Sequence, residues 1–175
     1  PNSTQPTEEL LNMSDLDMVN HTLDMSQMIV KSYVNDLSDS DLLIRAVPGM
    51  NHIAWQLGHL IATEYNAMEL LKPGVSPKLS AEFLKAHDRE DTSSNDPSHF
   101  LTKDGYLKTL DDQRAATKQI MSELTIEELA SAAPEQWQRM CPTVAHVLNM
   151  VAGHYLMHVG QWVAVRRTLN KPVAI

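Results

Sequence analysis

Apolar residues recur along this chain at intervals of three and four, the spacing that places them on one face of an α-helix. Val19, Leu23, Ser26, Val30, Tyr33 and Leu37 form the first such stripe, and Ser14, followed by Asp15 and Asp17, is its expected cap. Met25 and Met28 fall off the stripe and read as packing or interface residues. Ser38 with Asp41 looks like a short second cap, and Pro48-Gly49 marks a sharp turn. Asn51 is then expected to cap a second helix that runs to about Leu71, where Pro73-Gly74 stops it. Its inward stripe is Ile53, Leu57, Leu60, Ile61 and Met68. His52, Trp55, His59, Thr63 and Asn66 share a semi-polar face, as a cleft wall would.

Between residues 73 and 102 the periodicity breaks. Only 80–87 looks helical, and 88–98 is charged and Ser-rich. An insertion of ~30 residues in a compact domain is usually a functional lid or a mobile loop. A third helix follows from about Lys103 to Leu124, with Tyr106, Leu110, Thr117, Ile120 and Leu124 inward. Thr125 with Glu128 is a capping box that opens a short helix over 126–132. Thr143 is the expected cap of a last long helix reaching Leu169. Four long helices without strand alternation predict an all-α four-helix bundle, with a loop-rich insertion between the second and third helices. Residues 1–13 read as a flexible N-terminal arm and 14–175 as a single domain.

Composition narrows the function. With 175 residues, 43% of them apolar, the chain can bury a real core. A net charge of −8 without a Lys/Arg cluster disfavours nucleic acid as a partner. No apolar run approaches the ~20 residues of a membrane span, and no signal-peptide pattern is present, so a cytoplasmic location is expected. The single cysteine, Cys141, excludes an intramolecular disulfide; it precedes a helix start, where a thiol pKa can drop.

The candidate chemistry lies in the last helix. His154 and His158 are four residues apart, an offset of roughly 40°, so both imidazoles leave one face and can meet at a common point. A third histidine from a neighbouring helix would complete a three-nitrogen metal site. With eight histidines in the chain, this spacing alone is a weak signal. The competing reading is two histidines flanking the apolar stripe of Val144, Leu148, Val151, Tyr155 and Val159. Gln161 is either a second-layer donor or a polar rim residue. Trp55 could wall the cleft or simply pack, and Glu64 could orient a histidine or pair elsewhere. His21, His52, His87, His99 and His146 read as surface or core residues, His52 lying nearest the cleft. The Glu-x-x-His pairs of di-iron bundles are missing, as are His-Glu-x-x-His, a Gly-rich phosphate loop and Gly-x-Ser-x-Gly.

The segment Asn51-His-Ile-Ala-Trp55-Gln-Leu-Gly-His59-Leu resembles the second-helix signature of the DinB/YfiT-like family. The run His154-x-x-x-His158-x-Gly160-Gln161, with Arg166-Arg167 trailing, resembles that family's last-helix signature. The resemblance covers nearly the whole chain from about Ser14. It implies a four-helix bundle that binds one divalent metal ion through His59, His154 and His158. Three neutral imidazoles suit Zn²⁺, Ni²⁺, Fe²⁺ or Mn²⁺ and leave a coordination position open. The family includes thiol-dependent transferases and isomerases, so the resemblance implies a small-molecule substrate and a metal-dependent thiol S-transferase acting with a low-molecular-weight thiol. A metal-dependent hydrolase is the second reading, and a non-catalytic metal- or small-ligand-binding bundle the third. Related bundles often form homodimers, and Met25 and Met28 could supply the apolar patch.

Overall fold

The computed structural model describes residues 15–90 and 92–174. In chain order its helices are α1 (Asp15–Val34), α2 (Ile53–Leu71), α3 (Ala81–Ala86), α4 (Lys103–Glu123), α5 (Ile126–Ala130), α6 (Glu135–Gln138) and α7 (Val144–Thr168). The long helices α1, α2, α4 and α7 form a four-helix bundle. α1 packs chiefly on α7 and α2 on α4, while α2–α7 and α1–α4 contacts close the ring. Among the described residues the only β-type pairing is an isolated bridge between Ala132 and Thr143. The arm at 1–13 and the Ser14 cap lie outside the described residues.

Helix boundaries fall close to where the apolar pattern places them, but two caps differ. His52, not Asn51, caps α2, its Nδ1 accepting the Trp55 backbone N–H at 3.0 Å. Asn51 sits one residue too early, and its carbonyl instead accepts from Gln56 Nε2. With Nδ1 acting as acceptor, neutral His52 carries its hydrogen on Nε2, which donates to the Ser94 carbonyl at 3.1 Å. Thr143 does precede α7, but its hydroxyl pairs with His146 Nδ1 at 2.7 Å instead of capping the helix. The Thr125–Glu128 capping box forms in full. α6, four residues long, leaves no mark in the apolar pattern, since one turn carries no readable periodicity.

Two apolar clusters fill the bundle. One includes Val30, Leu37, Leu57, Ile61, Leu110 and Trp162; the other includes Leu23, Met68, Ile120, Val147, Leu148 and Val151. On three of the long helices a buried polar group falls between the two clusters: Ser26 on α1, Glu64 on α2, and Arg114 with Thr117 on α4. Glu64 and Arg114 are each 1% exposed and lie 3.1 Å apart. Arg114 Nη2 donates to Glu64 Oε2 at 3.1 Å and Thr117 Oγ1 donates to Oε1 at 2.6 Å. Arg114 Nη1 donates to the Leu23 carbonyl, and the guanidinium lies 4.7 Å over the Tyr155 ring of α7. This pairing, and not a histidine, is what Glu64 serves.

Arg166 ties the end of α7 to the end of α1. Its guanidinium donates to the Tyr33 carbonyl, to both Asp36 carboxylate oxygens and to the Pro172 carbonyl. The inserted segment is stapled as well: Arg45 donates to the carbonyls of Met50, Thr92 and Ser94 and to Asn95 Oδ1.

Removing one member of a buried ion pair strands the other charge in the core. Arg114→Met should therefore cost about 3–5 kcal/mol of unfolding free energy. The double variant Glu64→Leu/Arg114→Met should recover most of that loss, as read from urea denaturation midpoints.

Candidate metal centre

α2 carries His59 and α7 carries His154 and His158 to the same place. One ring nitrogen from each lies within 4.8 Å of the others, a group that could hold a metal ion. His154 Nε2 and His158 Nε2 are 3.2 Å apart. The three ring centroids are separated by 4.8 to 5.5 Å. The two histidines of α7 meet because i and i+4 share a helix face. His59 joins them because α2 packs on α7.

Gln56 sets the orientation of His158. Trp162 Nε1 can only donate, so the Gln56 atom facing it at 2.9 Å is the amide oxygen. The same oxygen lies 2.9 Å from His158 Nδ1, which must therefore carry a hydrogen and donate it. Neutral His158 is left with its lone pair on Nε2, directed at the cluster. Gln56 Nε2 completes the arrangement by donating to the Asn51 carbonyl at 2.5 Å. This is the support a metal-binding imidazole needs from its surroundings. Gln161, by contrast, is an exposed rim residue of the adjoining hollow.

His59 is held from two sides. Trp55 stacks on it with the rings 4.9 Å apart and nearly parallel, at 7°, so Trp55 both packs and walls the site. On the other side lies the end of α3, where a hydrogen bond to the His87 backbone favours the charged form of His59. His87 is itself buried. Its Nδ1 donates to the Phe83 carbonyl at 2.7 Å, which leaves Nε2 to accept from the Tyr106 hydroxyl at 2.7 Å. Gly58 makes that seat possible, because a Cβ there would come within 2.1 Å of His87 Cδ2. The glycine of the α2 motif is thus explained by a contact with the insertion.

All three clustered imidazoles resist protonation. Burial dominates for each. The charges of His158, His59 and Arg89 push the same way at His154, which falls to about 3. His158 falls to about 4, with His59 and Arg89 adding to burial. His59 is also lowered, by burial and then by Arg89. Neutral nitrogens that converge and repel protons are a donor set that fits a divalent cation of the zinc or nickel type. A hollow of about 340 Å³ adjoins the cluster, lined also by Asn51, Trp55, Gln56, Arg89, Thr92 and Met157.

Cys141 and His52 take no part. Cys141 is buried, and burial pushes its thiol pKa up rather than down. His52 is spent on capping α2 and holding Ser94. His21, His99 and His146 are exposed.

The sequence pattern of the DinB superfamily matches residues 22–162. The chain belongs to the DinB superfamily. Two solved structures share its fold. A conserved protein from Enterococcus faecalis is 17% identical with a TM-score of 0.67, over 91% of this chain and 99% of that one. YfiT from Bacillus subtilis, described as a probable metal-dependent hydrolase with an unusual four-helix bundle topology, is 15% identical with a TM-score of 0.60. That match spans 98% of this chain and 94% of YfiT. No curated protein sequence matches the chain. Among the described residues of this DinB superfamily member, no helix is long and apolar enough to cross a membrane.

Two outcomes follow for the metal-free DinB chain. His154, His158 and His87 sit at about 3, 4 and 4 when folded but near 6.5 when unfolded. The unfolded chain therefore binds more protons below about pH 6.5, and stability should fall as pH drops from there towards 4. Denaturant midpoints measured between pH 8 and pH 4 should be flat above about pH 7 and decline below pH 6.5. Gly58→Ala should cost about 1–3 kcal/mol by driving His87 from its seat. The Tyr106-dependent near-UV circular dichroism should change with it.

Proposed function

We propose that this chain is a metal-dependent enzyme in which His59, His154 and His158 hold one divalent ion. The observation that carries this reading is the convergence of three neutral ring nitrogens, two of them on buried histidines: His158, oriented by Gln56, and His59, held by the end of α3. Bound there, a divalent ion lowers the pKa of a thiol or water that joins it and so provides a nucleophile near neutral pH.

The protein's own groups do the rest. His158 donates through Nδ1 to Gln56 and keeps Nε2 free for the ion. Trp55 shields one face of His59 by stacking on it. Asn51, Gln56, Thr92 and Gln161 offer uncharged donors and acceptors around the adjoining hollow. Its ≈ 340 Å³ is far more than the roughly 30 Å³ share of a water molecule. That room for an organic reactant favours transfer of a low-molecular-weight thiol to a small-molecule electrophile as the leading reading.

Hydrolysis is the second reading. It is supported by the fold shared with YfiT, described as a probable metal-dependent hydrolase. A bundle that keeps the metal without catalysis is the third. A cytoplasmic homodimer belongs with the leading reading: of the two off-stripe methionines of α1, Met28 is 58% exposed and offers apolar surface for a partner copy, as does Met18 at 54%, whereas Met25 is only partly exposed and adds little.

Elemental analysis of untagged protein should find one equivalent of a first-row metal, and the His154→Ala variant should lose it. Protein that carries no metal and is not stabilised by added Zn²⁺, Ni²⁺ or Mn²⁺ would refute the centre. Gln56→Leu should weaken metal affinity by about 10- to 100-fold, as the loss of an orienting partner does elsewhere. Gln161→Ala should change affinity little. Turnover of thiol and electrophile by the metal-loaded protein, absent in His154→Ala, would separate the enzyme from the non-catalytic bundle.

A further inference from the structure

The hollow beside the histidines does not end there. It shares His59 and Arg89 with a second, of about 460 Å³, which Thr63, His87, Asp88 and Glu90 also line. The second shares Asn66, Arg89 and Trp137 with a third, of about 960 Å³, whose far end is Glu69, Gln136, Arg139 and Met140. Adjoining through these shared residues, the three follow one another along α2, from the histidines to α6, and we read them as one groove. From His59 to Glu69 it runs about 15 Å at the helical rise per residue.

Arg89 borders all three hollows and Arg139 the far one. Both side chains are exposed, and among the described residues neither guanidinium makes a hydrogen bond or an ion pair. Two unspent arginines at one place stand out on a chain with 22 acidic and 14 basic residues. Nearby carboxylates are partly committed. Both Glu69 oxygens accept from the Gly74 N–H, and Asp88 Oδ1 accepts from the Glu90 N–H. Asp88 and Glu90 offset positive charge in the middle hollow, so an anion is best received at the far one, where among the described residues Glu69 is the only lining carboxylate beside Arg89 and Arg139. Trp137 supplies an apolar wall between that end and the histidines.

We propose that this groove binds an elongated substrate, with its reactive atom at the histidine cluster and an anionic group, carboxylate or phosphate, held between Arg89 and Arg139. The proposal rests on the metal-centre reading and adds a substrate class to it. A planar carboxylate or a phosphate suits the forked donors of arginine, and charge-assisted hydrogen bonds are the stronger kind. Specificity then comes from the distance between the metal centre and Arg139, since Arg89 also borders the hollow beside the histidines.

The test uses the full chain loaded with Co²⁺ and a ladder of ω-mercaptocarboxylates whose lengths bracket that distance, each compared with the ω-mercaptoalcohol of the same length. Thiolate-to-cobalt absorption reports the head of the probe and the Trp137 indole resonance reports its tail. At one chain length the carboxylate should bind about tenfold or more tightly than the alcohol. Arg139→Ala should erase that preference with cobalt content unchanged. Equal binding of carboxylate and alcohol at every length, or a preference that survives in Arg139→Ala, overturns the proposal. Competition by inorganic phosphate and by acetate tells which anion the arginines prefer.

If no probe gives a thiolate–cobalt band, the metal-centre reading is what fails. The groove is then judged on metal-free protein with suberate and inorganic phosphate. A Trp137 shift with either anion, lost in Arg139→Ala, keeps the anion site, and no shift with either one removes it.

Discussion

The buried pair of Glu64 and Arg114 is the interaction on which the bundle's geometry depends. An ion pair in the core gains little net energy, since desolvating two charges offsets most of their attraction. Its consequence here is register. Apolar ridges can slide past one another at modest cost, but Arg114 must reach Glu64, the Leu23 carbonyl and the face of Tyr155 at once. That requirement spans α1, α2, α4 and α7. His59 lies little more than a turn before Glu64, and His154 is next to Tyr155. The layer that sets the helix registers therefore sets where three imidazoles meet.

Around the imidazoles, each partner restricts another. Trp162 defines which end of the Gln56 amide is oxygen, that oxygen defines which nitrogen of His158 is protonated, and the remaining nitrogen faces its neighbours. The inserted segment acts on His59, on the opposite side of the cluster. It packs His87 onto Gly58 and brings its backbone to His59. Arg45 and His52 hold the following stretch through Ser94. Parts of the chain outside the four long helices thus complete the site that those helices begin.

The four long helices were legible because each has a one-sided apolar stripe with recognisable ends, and α2 and α7 were placed within a residue or two. The histidine cluster needed more than spacing: His154 and His158 announce a shared face, but only the resemblance of two separated motifs picks out His59 among eight histidines. Gln56, the residue that orients His158, gave no signal because α2 is buried almost all round from Ile53 to Ala62, where inward and outward lose their meaning. Gln161, which its place three residues after His158 leaves open as an orienting donor or a rim residue, lies exposed at the rim. His52 was hidden as a cap because histidine rarely serves as one, and Asn51 beside it is the commoner choice. Arg89 and Arg139 sit in stretches without periodicity, so only folding reveals that they border one groove.

Gly58 and His87 form a matched pair whose members cannot change independently. A larger side chain at position 58 is compatible with the fold only if position 87 gives up its imidazole, and the Tyr106 hydroxyl then loses its acceptor. Among relatives, a glycine just before the clustered histidine of α2 should therefore travel with a bulky residue on the covering segment, and an alanine or serine there with a small one. The glycine becomes a marker, readable from sequence, of how that segment sits over the histidine cluster.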